Sequence, residues 1–159
     1  MTAYVACLKT PFAVLGVRTD GSALTAIDFL PPGTPALPPR HPLAREAWRQ
    51  LQAYLADASF VFDLPLRPAG TDFQRRVWRA MQAIPPGRAR SYGDLAEELQ
   101  SSPRAVGQAC GANPLPLVIP CHRVVAKSGL GGFAHARDGA PLDYKRWLLA
   151  HEGYRPGAP

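Results

Sequence analysis

Prolines divide this chain into short segments, and this limits the folds that are open to it. Eighteen of the 159 residues are proline. They gather in a loop over 31–39, a linker over 64–70, a helix stop at 85–87 and a break at 113–116. Proline is excluded from helix interiors and from the hydrogen-bond ladders of central strands. The sequence therefore predicts short helices and strands separated by loops.

The first part of the chain predicts a β-hairpin followed by one helix. Residues 4–18 and 22–30 are rich in strand-forming residues, with an Asp-Gly turn at 20–21 between them. Apolar residues recur at helical spacing over 42–56, which predicts an amphipathic helix. The aromatic segment 60–62 predicts one further strand before the linker.

Two capping boxes mark helix starts in the second part of the chain. Thr71 precedes Gln74 by three residues, and Ser91 precedes Asp94 by the same spacing. In this pattern each of the two side chains caps a backbone N–H at the helix start. The first helix is predicted to run to the helix stop at 85–87, and the second to about residue 99.

A third helix is predicted directly after the second, over 103–111, with Ser101 or Ser102 as its N-cap. Two short helices joined by a tight turn have the outline of a helix-turn-helix. Residues 117–119 are predicted to form a short buried strand, and 143–152 a closing helix.

The charge distribution is consistent with an anionic partner. The net charge is +6 and the isoelectric point is about 9.7. Basic residues are dense and acidic residues sparse between positions 67 and 127, a pattern that fits nucleic acid. These cations are Arg67, Arg75, Arg76, Arg79, Arg88, Arg90, Arg104, Arg123 and Lys127.

Targeting signals and cysteines point to a cytoplasmic protein with reduced thiols. No run of 18 apolar residues predicts a membrane span, and the N-terminus lacks the features of a signal peptide. The three cysteines, Cys7, Cys110 and Cys121, are odd in number and widely spaced. Such spacing argues against a disulfide framework and against a zinc site. We expect neither a metal nor an organic cofactor.

The segment Pro120-Cys121-His122-Arg123 predicts a reactive thiol. The thiolate is the nucleophilic form of cysteine, and neighbouring cations lower the pKa of a thiol. We therefore expect the adjacent histidine and arginine to lower the pKa of Cys121. Neighbouring side chains on an extended chain point to opposite faces, so His122 can reach the sulfur only at a turn or through a water. Glu152 is a candidate to orient that histidine.

Five stretches, taken in order, resemble the O6-alkylguanine-DNA alkyltransferases (methylated-DNA–protein-cysteine methyltransferases). They read SYGDLA at 91–96, RAVG at 104–107, GANPLP at 111–116, IPCHRVV at 119–125 and WLLAHEG at 147–153. The resemblance spans about residues 71–153, while the N-terminal part is similar only in size and outline.

The resemblance implies an α+β fold of two domains. Residues 1–66 would form a small α/β domain with an antiparallel, ribonuclease-like sheet. Residues 67–159 would form a winged helix-turn-helix domain that carries the active cysteine.

The resemblance also implies direct-reversal DNA repair by a monomer. The recognition helix would enter the minor groove of double-stranded DNA and the damaged base would be flipped out of the stack. An alkyl group would then move irreversibly from O6 of guanine to Cys121, so that each chain reacts once. O4-alkylthymine is a second substrate that fits the same chemistry.

Catalytic roles follow from the matching positions. Cys121 would be the acceptor, His122 a base acting through a water, and Glu152 the end of that relay. Asn113 would brace the turn before the cysteine, and Tyr92 would donate its hydroxyl towards N3 of guanine.

Binding roles follow in the same way. The residues implied in DNA contact are Arg104, which would fill the gap left by the flipped base, Ala105, Gly107, Gln108 and Tyr92. The residues implied around the flipped guanine are Val124, Pro116, Phe133 and Ala134.

Three departures from the family pattern concern the turns and the pocket. The turn at 100–103 is short, the loop between Cys121 and Phe133 is one residue shorter than usual, and the segment 135–141 is longer. These changes affect the alignment of Phe133 and Ala134 and the alkyl groups that fit. Phe133 also lacks the hydroxyl of the tyrosine often found at its position.

Three other functions are compatible with parts of the sequence. A non-enzymatic binder of alkylated DNA has the same outline, but its cysteine is replaced, so Cys121 speaks against it. A winged-helix regulator needs no reactive thiol. A cysteine hydrolase needs an oxyanion hole and repeated turnover, and a histidine adjacent in sequence is unusual for a triad.

Overall fold

The computed structural model describes residues 3–133, 135 and 139–154. The chain divides into two compact units, of which the first ends at Ala69 and the second begins at Gly70. The described part is mixed α/β, with one small antiparallel sheet and five α-helices. None of these helices is both long enough and apolar enough to cross a membrane.

The first unit is built on a three-stranded antiparallel sheet. Its strands are β1 (Ala6–Lys9), β2 (Val14–Thr19) and β3 (Leu24–Leu30), in the order β1-β2-β3. The central strand β2 pairs with both neighbours, and its apolar residues are buried. The predicted strand-forming residues therefore give three strands, because a break after Lys9 divides the first predicted run in two.

The turn between β2 and β3 forms at the predicted position. Asp20 Oδ1 accepts hydrogen bonds of 2.9 Å from the backbone N–H groups of Ser22 and Ala23. Gly21 has a φ of 96°, a left-handed conformation that glycine adopts without a steric penalty. This arrangement confirms the turn predicted from the Asp-Gly pair.

The helix α1 (Pro42–Ala56) has the bounds that the apolar spacing predicts. Its buried residues include Ala47, Leu51 and Tyr54, which lie three to four positions apart and so share one face. That helix contacts β1 and completes the core of the first unit.

The strand predicted at 60–62 is wrong. The segment is irregular, and the residue that follows it, Asp63, has both of its backbone groups bonded to the side chain of Gln50. Gln50 Nε2 donates to the carbonyl of Asp63 at 2.9 Å, and Gln50 Oε1 accepts from the N–H of Asp63 at 2.8 Å. The ring of Phe62 packs 5.4 Å from that of Tyr54, so burial of aromatics explains the strand-like composition.

The segment predicted as a linker at 64–70 lies beside β3 as far as Arg67. The N–H of Leu24 donates to the carbonyl of Pro65, and the N–H of Arg67 donates to the carbonyl of Leu24, each at 2.8 Å. Proline lacks an N–H but keeps its carbonyl, so it can still accept at a sheet edge.

Three helices open the second unit. They are α2 (Asp72–Gln82), α3 (Tyr92–Glu98) and α4 (Pro103–Gly111). Both predicted capping boxes are present, at Thr71 and at Ser91. These caps confirm the predicted helix starts.

Ser102 is the N-cap of α4. Its Oγ accepts a hydrogen bond of 3.1 Å from the backbone N–H of Ala105. This contact decides between the two serines that the sequence left open, since Ser102 directly precedes the first residue of the helix.

The rest of the second unit surrounds a short 3₁₀ helix. This helix (Cys121–Arg123) leads into β5 (Val124–Val125), which pairs in parallel with β4 (Arg90–Ser91). The last helix, α5 (Ala140–His151), begins three residues before the predicted start. Proline near its first position explains the earlier start, because a proline there lacks only an N–H that would be unpaired.

A buried tryptophan joins α2 to α4. The indole N–H of Trp78 donates to the carbonyl of Ala109 at 2.8 Å. Val77, Met81 and Val106 are fully buried in the core of this unit. The hydrogen bond fixes the end of α4 that lies nearest to the cysteine segment in sequence.

The strand predicted at 117–119 is also wrong. The chain turns there, with Leu117 at a φ of 72° and the N–H of Ile119 donating to the carbonyl of Leu115. The three residues are buried as predicted. A buried apolar run does not by itself distinguish a strand from a packed turn.

Candidate active site

A pocket of about 940 Å³ opens in the second unit between α4 and residues of 126–133 with His135. Cys121 lies on its wall, with Tyr92 and Phe133. From α4, the predicted DNA-contacting residues Arg104, Gly107 and Gln108 also line it. The structure thus brings two predicted catalytic residues, Cys121 and Tyr92, to the same pocket as these three residues of α4.

Four of the residues predicted to contact DNA or the flipped base lie elsewhere or cannot be placed. Ala105 is half-buried on α4, while Pro116 and Val124 are buried, and none of the three lines the described pocket wall. Ala134 lies outside the described residues.

Cys121 is held by a tight backbone turn. Its N–H donates to the carbonyl of Ile119 at 2.8 Å, and its own carbonyl accepts from the N–H of Val124. Only 6% of the residue is exposed. The 3₁₀ turn follows Pro120, which cannot donate a backbone hydrogen bond to the preceding turn.

The pKa of the Cys121 thiol is raised to about 11, chiefly because burial disfavours the thiolate. Hydrogen bonding from Asn113 and the positive charge of Lys145 act in the opposite direction. The expectation that adjacent cations would lower this pKa is therefore wrong, because burial outweighs them and the guanidinium of Arg123 is engaged elsewhere. At neutral pH the resting group is the thiol.

His122 and Glu152 form a buried pair behind the cysteine. His122 Nε2 lies 2.7 Å from Glu152 Oε2, and both side chains are fully buried. Burial lowers the pKa of His122 against the raising effect of that carboxylate. The other ring nitrogen, Nδ1, is buried and has no hydrogen-bond partner among the residues that the structure describes. The predicted proximity of the two residues in space is thus present.

Arg123 shares the same carboxylate, a role that the sequence reasoning missed. Its Nε and one terminal nitrogen each lie 2.9 Å from Glu152, and the other terminal nitrogen donates to the carbonyl of Ile84 at 2.6 Å. A two-pronged pairing of this kind holds a carboxylate in one orientation. The signal for it was the basic residue in a segment that is otherwise apolar.

Asn113 braces the turn that precedes the cysteine. Its Nδ2 donates to the carbonyl of Ile119 at 2.8 Å, and its Oδ1 accepts from the N–H of Leu115 at 2.9 Å. These bonds hold the strained left-handed residue Leu117 in place, a conformation that is uncommon for leucine.

Tyr92 is the first residue of α3 and its ring faces the pocket. The hydroxyl donates to the carbonyl of Gly132 at 3.3 Å. Burial raises the pKa of this phenol to about 12, so it stays protonated and remains a donor at neutral pH. A Cβ on Gly107 would lie only 3.9 Å from the Tyr92 ring, which shows how closely α4 passes it.

Lys145 is a second residue that the sequence reasoning missed. It is completely buried on α5, where its Nζ donates to the carbonyls of Val124 and Gly132 at 2.7 and 2.8 Å. The same nitrogen lies 5.8 Å from the centre of the Tyr92 ring. Burial lowers the pKa of Lys145 to about 8. The signal was a lysine on the same helical face as buried leucines three residues to either side.

The basic residues at and near the pocket differ in whether they form ion pairs. Within the described part of the chain, the guanidinium of Arg104 makes no ion pair, and the side chain is exposed. Arg90, by contrast, pairs with Glu98 at 2.6 Å.

The described residues contain no group of three or more side chains that could hold a metal ion.

Comparison with known proteins identifies similar sequences. Residues 72–154 match the family model of the DNA-binding domain of 6-O-methylguanine DNA methyltransferases. A methylated-DNA–protein-cysteine methyltransferase of Methanosarcina acetivorans is 36% identical over 94% of this chain and 98% of its own length. The protein of the same name from Mycolicibacterium paratuberculosis is 50% identical, over 67% of this chain and 63% of its own length.

Solved structures agree over nearly the whole chain. The crystal structure of the Mycobacterium tuberculosis O6-methylguanine methyltransferase has a TM-score of 0.80 at 36% identity, covering 99% of this chain and 97% of that one. The structure of Mycobacterium tuberculosis OGT in complex with DNA has a TM-score of 0.77 at 38% identity, covering 92% of this chain and 90% of that one.

Proposed function

Because this chain belongs to the O6-methylguanine DNA methyltransferase family, we propose that it repairs DNA by moving an alkyl group from O6 of guanine to the Sγ of Cys121. One observation carries the assignment of the residue. A buried cysteine lies on the wall of a pocket that opens beside α4, and the buried His122–Glu152 pair is adjacent to it. The acceptor is consumed, since a thioether is stable.

The partner is double-stranded DNA that contains the alkylated base. We assign α3 and α4 to a helix-turn-helix within a winged C-terminal domain, and the sheet of the first unit to a ribonuclease-like N-terminal domain. Arg104, Ala105, Gly107 and Gln108 of α4 would face the minor groove. O6 of a stacked guanine is out of reach of a buried sulfur, so the base must be flipped into the pocket. The protein would act as a monomer.

The proton of Cys121 must leave as the reaction proceeds, since the pKa of the thiol lies near 11. His122 is the base that the geometry favours. Its Nε2 is occupied by Glu152, while its Nδ1 is buried with no partner among the described residues. A water bridging Nδ1 and Sγ would carry the proton, and the carboxylate would stabilise the imidazolium that forms.

The transfer itself is an in-line displacement. Sγ attacks the alkyl carbon, the bond from that carbon to O6 breaks, and its electron pair stays on guanine. The Tyr92 hydroxyl, protonated because its pKa is raised to about 12, would donate to N3 and stabilise the departing base. The thiol loses one proton and guanine finally gains one at N1, so the protons balance.

The remaining predicted residues would position the base. The carbonyls of Cys121 and Val124 would accept from the guanine amino group. The Val124 carbonyl already accepts from Lys145, and a carbonyl oxygen can accept a second hydrogen bond. Phe133 would form the wall near O6, and Pro116 would pack against the base from behind. O4-alkylthymine would enter the same pocket.

A non-enzymatic binder of alkylated DNA is the main alternative, and it is not favoured. The acceptor position holds a cysteine, and the curated relatives are methyltransferases. The regulator and hydrolase hypotheses find no support in the comparisons.

Intact-mass spectrometry after incubation with a duplex that carries one O6-methylguanine tests the proposal. We expect a gain of one methyl group per chain, mapped to Cys121 and saturating at one equivalent. Cys121→Ala should bind the duplex and gain nothing. Transfer by that variant, or no gain by the natural sequence despite binding, would overturn the assignment.

A further inference from the structure

The imidazole of His135 is seated on Gly111, the last residue of α4. A Cβ built on that glycine would lie 2.5 Å from Nδ1, 2.7 Å from Cε1 and 3.0 Å from Cγ of the ring. No real Cβ tolerates the shortest of these distances, so the ring occupies the space that any larger residue would need. The two residues therefore form a fitted pair, which the proposed chemistry does not use.

The pair lies at the end of one face of α4. Arg104, Gly107, Gln108 and Gly111 line the pocket at helical spacings of three and four, and so share that face. His135 lines the same pocket and is exposed. Its imidazole continues the face beyond the point where α4 ends.

The polar atoms of the His135 ring are available to a ligand. The backbone φ of 65° is left-handed, a region that histidine adopts more often than most residues with a Cβ. The side chain makes no hydrogen bond or ion pair with any other described residue. The Nδ1 edge of the ring packs on Gly111, which leaves Nε2 to contact a ligand. An exposed imidazole in this position has a free N–H to donate.

We propose that His135 is a further DNA-contacting residue, which extends the groove-facing side of α4 past Gly111 and donates to an acceptor atom of the duplex. This inference rests on the proposed function. The acceptor is a phosphate oxygen or a base edge in the minor groove, which present the same chemistry to an N–H. Gly111 has the role of leaving space for the ring.

The test is a double-mutant cycle on duplex affinity, measured by fluorescence anisotropy with a short undamaged duplex. We expect His135→Ala to raise the Kd about fivefold, the loss of about one hydrogen bond. Gly111→Ala should raise the Kd similarly by displacing the ring, and should have no further effect when His135 is already alanine. His151→Ala is the matched control, because that ring stacks on Trp147 at 4.8 Å and does not line the pocket.

A second readout separates DNA contact from a role in the pocket. The rate of reaction with free O6-benzylguanine should fall by a smaller factor in His135→Ala than the duplex affinity does, since no duplex is involved. Duplexes in which single phosphates are replaced by neutral methylphosphonates separate the two acceptors. An effect of His135→Ala that disappears on one such duplex would assign the contact to that phosphate, and an effect that persists on all of them would assign it to the groove.

The inference is overturned if His135→Ala leaves the duplex Kd unchanged, if it slows the free base as much as the duplex, or if Gly111→Ala acts equally in both backgrounds. Failure of the proposed function has a different signature, because the natural sequence would then fail to react with the free base, whether or not it binds duplex.

Discussion

Cys121 is a buried thiol, and its surroundings shift its pKa in opposite directions. Its pKa is raised to about 11, because the effect of burial exceeds the lowering effects of Asn113 and Lys145. A thiol of this kind is protected from adventitious chemistry, because only the thiolate is a strong nucleophile. Reactivity at this residue therefore depends on groups that act when a substrate fills the pocket.

Replacing Lys145 tests the electrostatic part of this balance. The ammonium stabilises the thiolate, so Lys145→Met should raise the pKa of Cys121 and slow the reaction at neutral pH by about tenfold for each pKa unit. In the natural sequence the rate should rise with pH and flatten above about 8, where Lys145 itself loses its proton. Lys145→Met should rise without that flattening.

The measurement is the single-turnover rate with free O6-benzylguanine over roughly pH 6 to 10. Lys145→Arg is the matched variant, because it keeps the charge. Identical pH profiles in Lys145→Met and the natural sequence would contradict the electrostatic role.

Replacing Glu152 tests the relay and the buried ion pair together. Glu152→Gln leaves the Arg123 guanidinium buried without its counter-charge, which should cost about 3 kcal/mol of unfolding free energy. Loss of the group that orients His122 should slow transfer by about 10- to 100-fold.

Chemical denaturation and single-turnover kinetics measure the two effects. Glu98→Gln is the matched control, because Glu98 pairs with Arg90 at the exposed surface, where such pairs contribute under about 1 kcal/mol. A transfer rate in Glu152→Gln equal to that of the control would exclude the carboxylate from the relay.

At the level of elements, helix ends decide where the site residues stand. Each of α2, α3 and α4 has a side-chain cap at its first turn. The cap of α4 sets the residue at which the pocket-lining face begins, and the Trp78 hydrogen bond fixes its other end. The cap therefore determines where α4 begins, while the Trp78 hydrogen bond joins its C-terminal part to α2.

Removing the cap of α4 should destabilise the second unit. Ser102→Ala loses the acceptor for the N–H of Ala105 and should cost about 1 kcal/mol, which lowers the melting temperature by about 4 °C or more in a unit of this size. Ser101→Ala is the neighbouring control, because Ser101 lies outside the cap. Thermal melts of the two variants with equal midpoints would show that the cap contributes nothing.

At the level of the whole molecule, ion pairing decides which of the many cations remain available. The net charge is +6. Arg75, Arg90, Arg123 and Arg146 each have a carboxylate partner within the second unit. Arg104, on the pocket wall, has none among the described residues. Basic composition alone therefore overstates the number of free positive charges.

Arg104→Ala should weaken duplex binding by about tenfold, and should weaken it more than it slows the reaction with free O6-benzylguanine. Arg88→Ala removes the same charge from an exposed position that does not line the pocket, so it controls for net charge. Anisotropy titrations and single-turnover rates provide the two readouts. Equal losses on duplex and free base would contradict a role in filling the gap that the flipped base leaves in the duplex.

Counting the free thiols of the chain tests whether alkyl transfer consumes one cysteine. All three cysteines are free and buried. Three thiols per chain should react with a chromogenic disulfide in denaturant, and one fewer, two, after complete alkyl transfer. A count of three after transfer would place the alkyl group on some other residue.

The sequence by itself determined the local features of this protein. The Asp-Gly turn, the apolar face of α1, both capping boxes and the bounds of α4 depend on residues within one or two helical turns of each other, and all were predicted correctly. The family was also readable, because its motifs lie in short continuous stretches.

The tertiary structure alone decided the features that depend on distant partners. Residues 60–62 and 117–119 have the composition of strands but form none. The backbone of Asp63, directly after the first segment, bonds to Gln50, and the carbonyl of Ile119, at the end of the second, accepts from Asn113. The direction of the Cys121 pKa shift, the engagement of Arg123 and the burial of Lys145 depend on contacts across 20 or more positions. Burial and ion pairing are properties of the assembled core, so they could not be predicted from the local sequence.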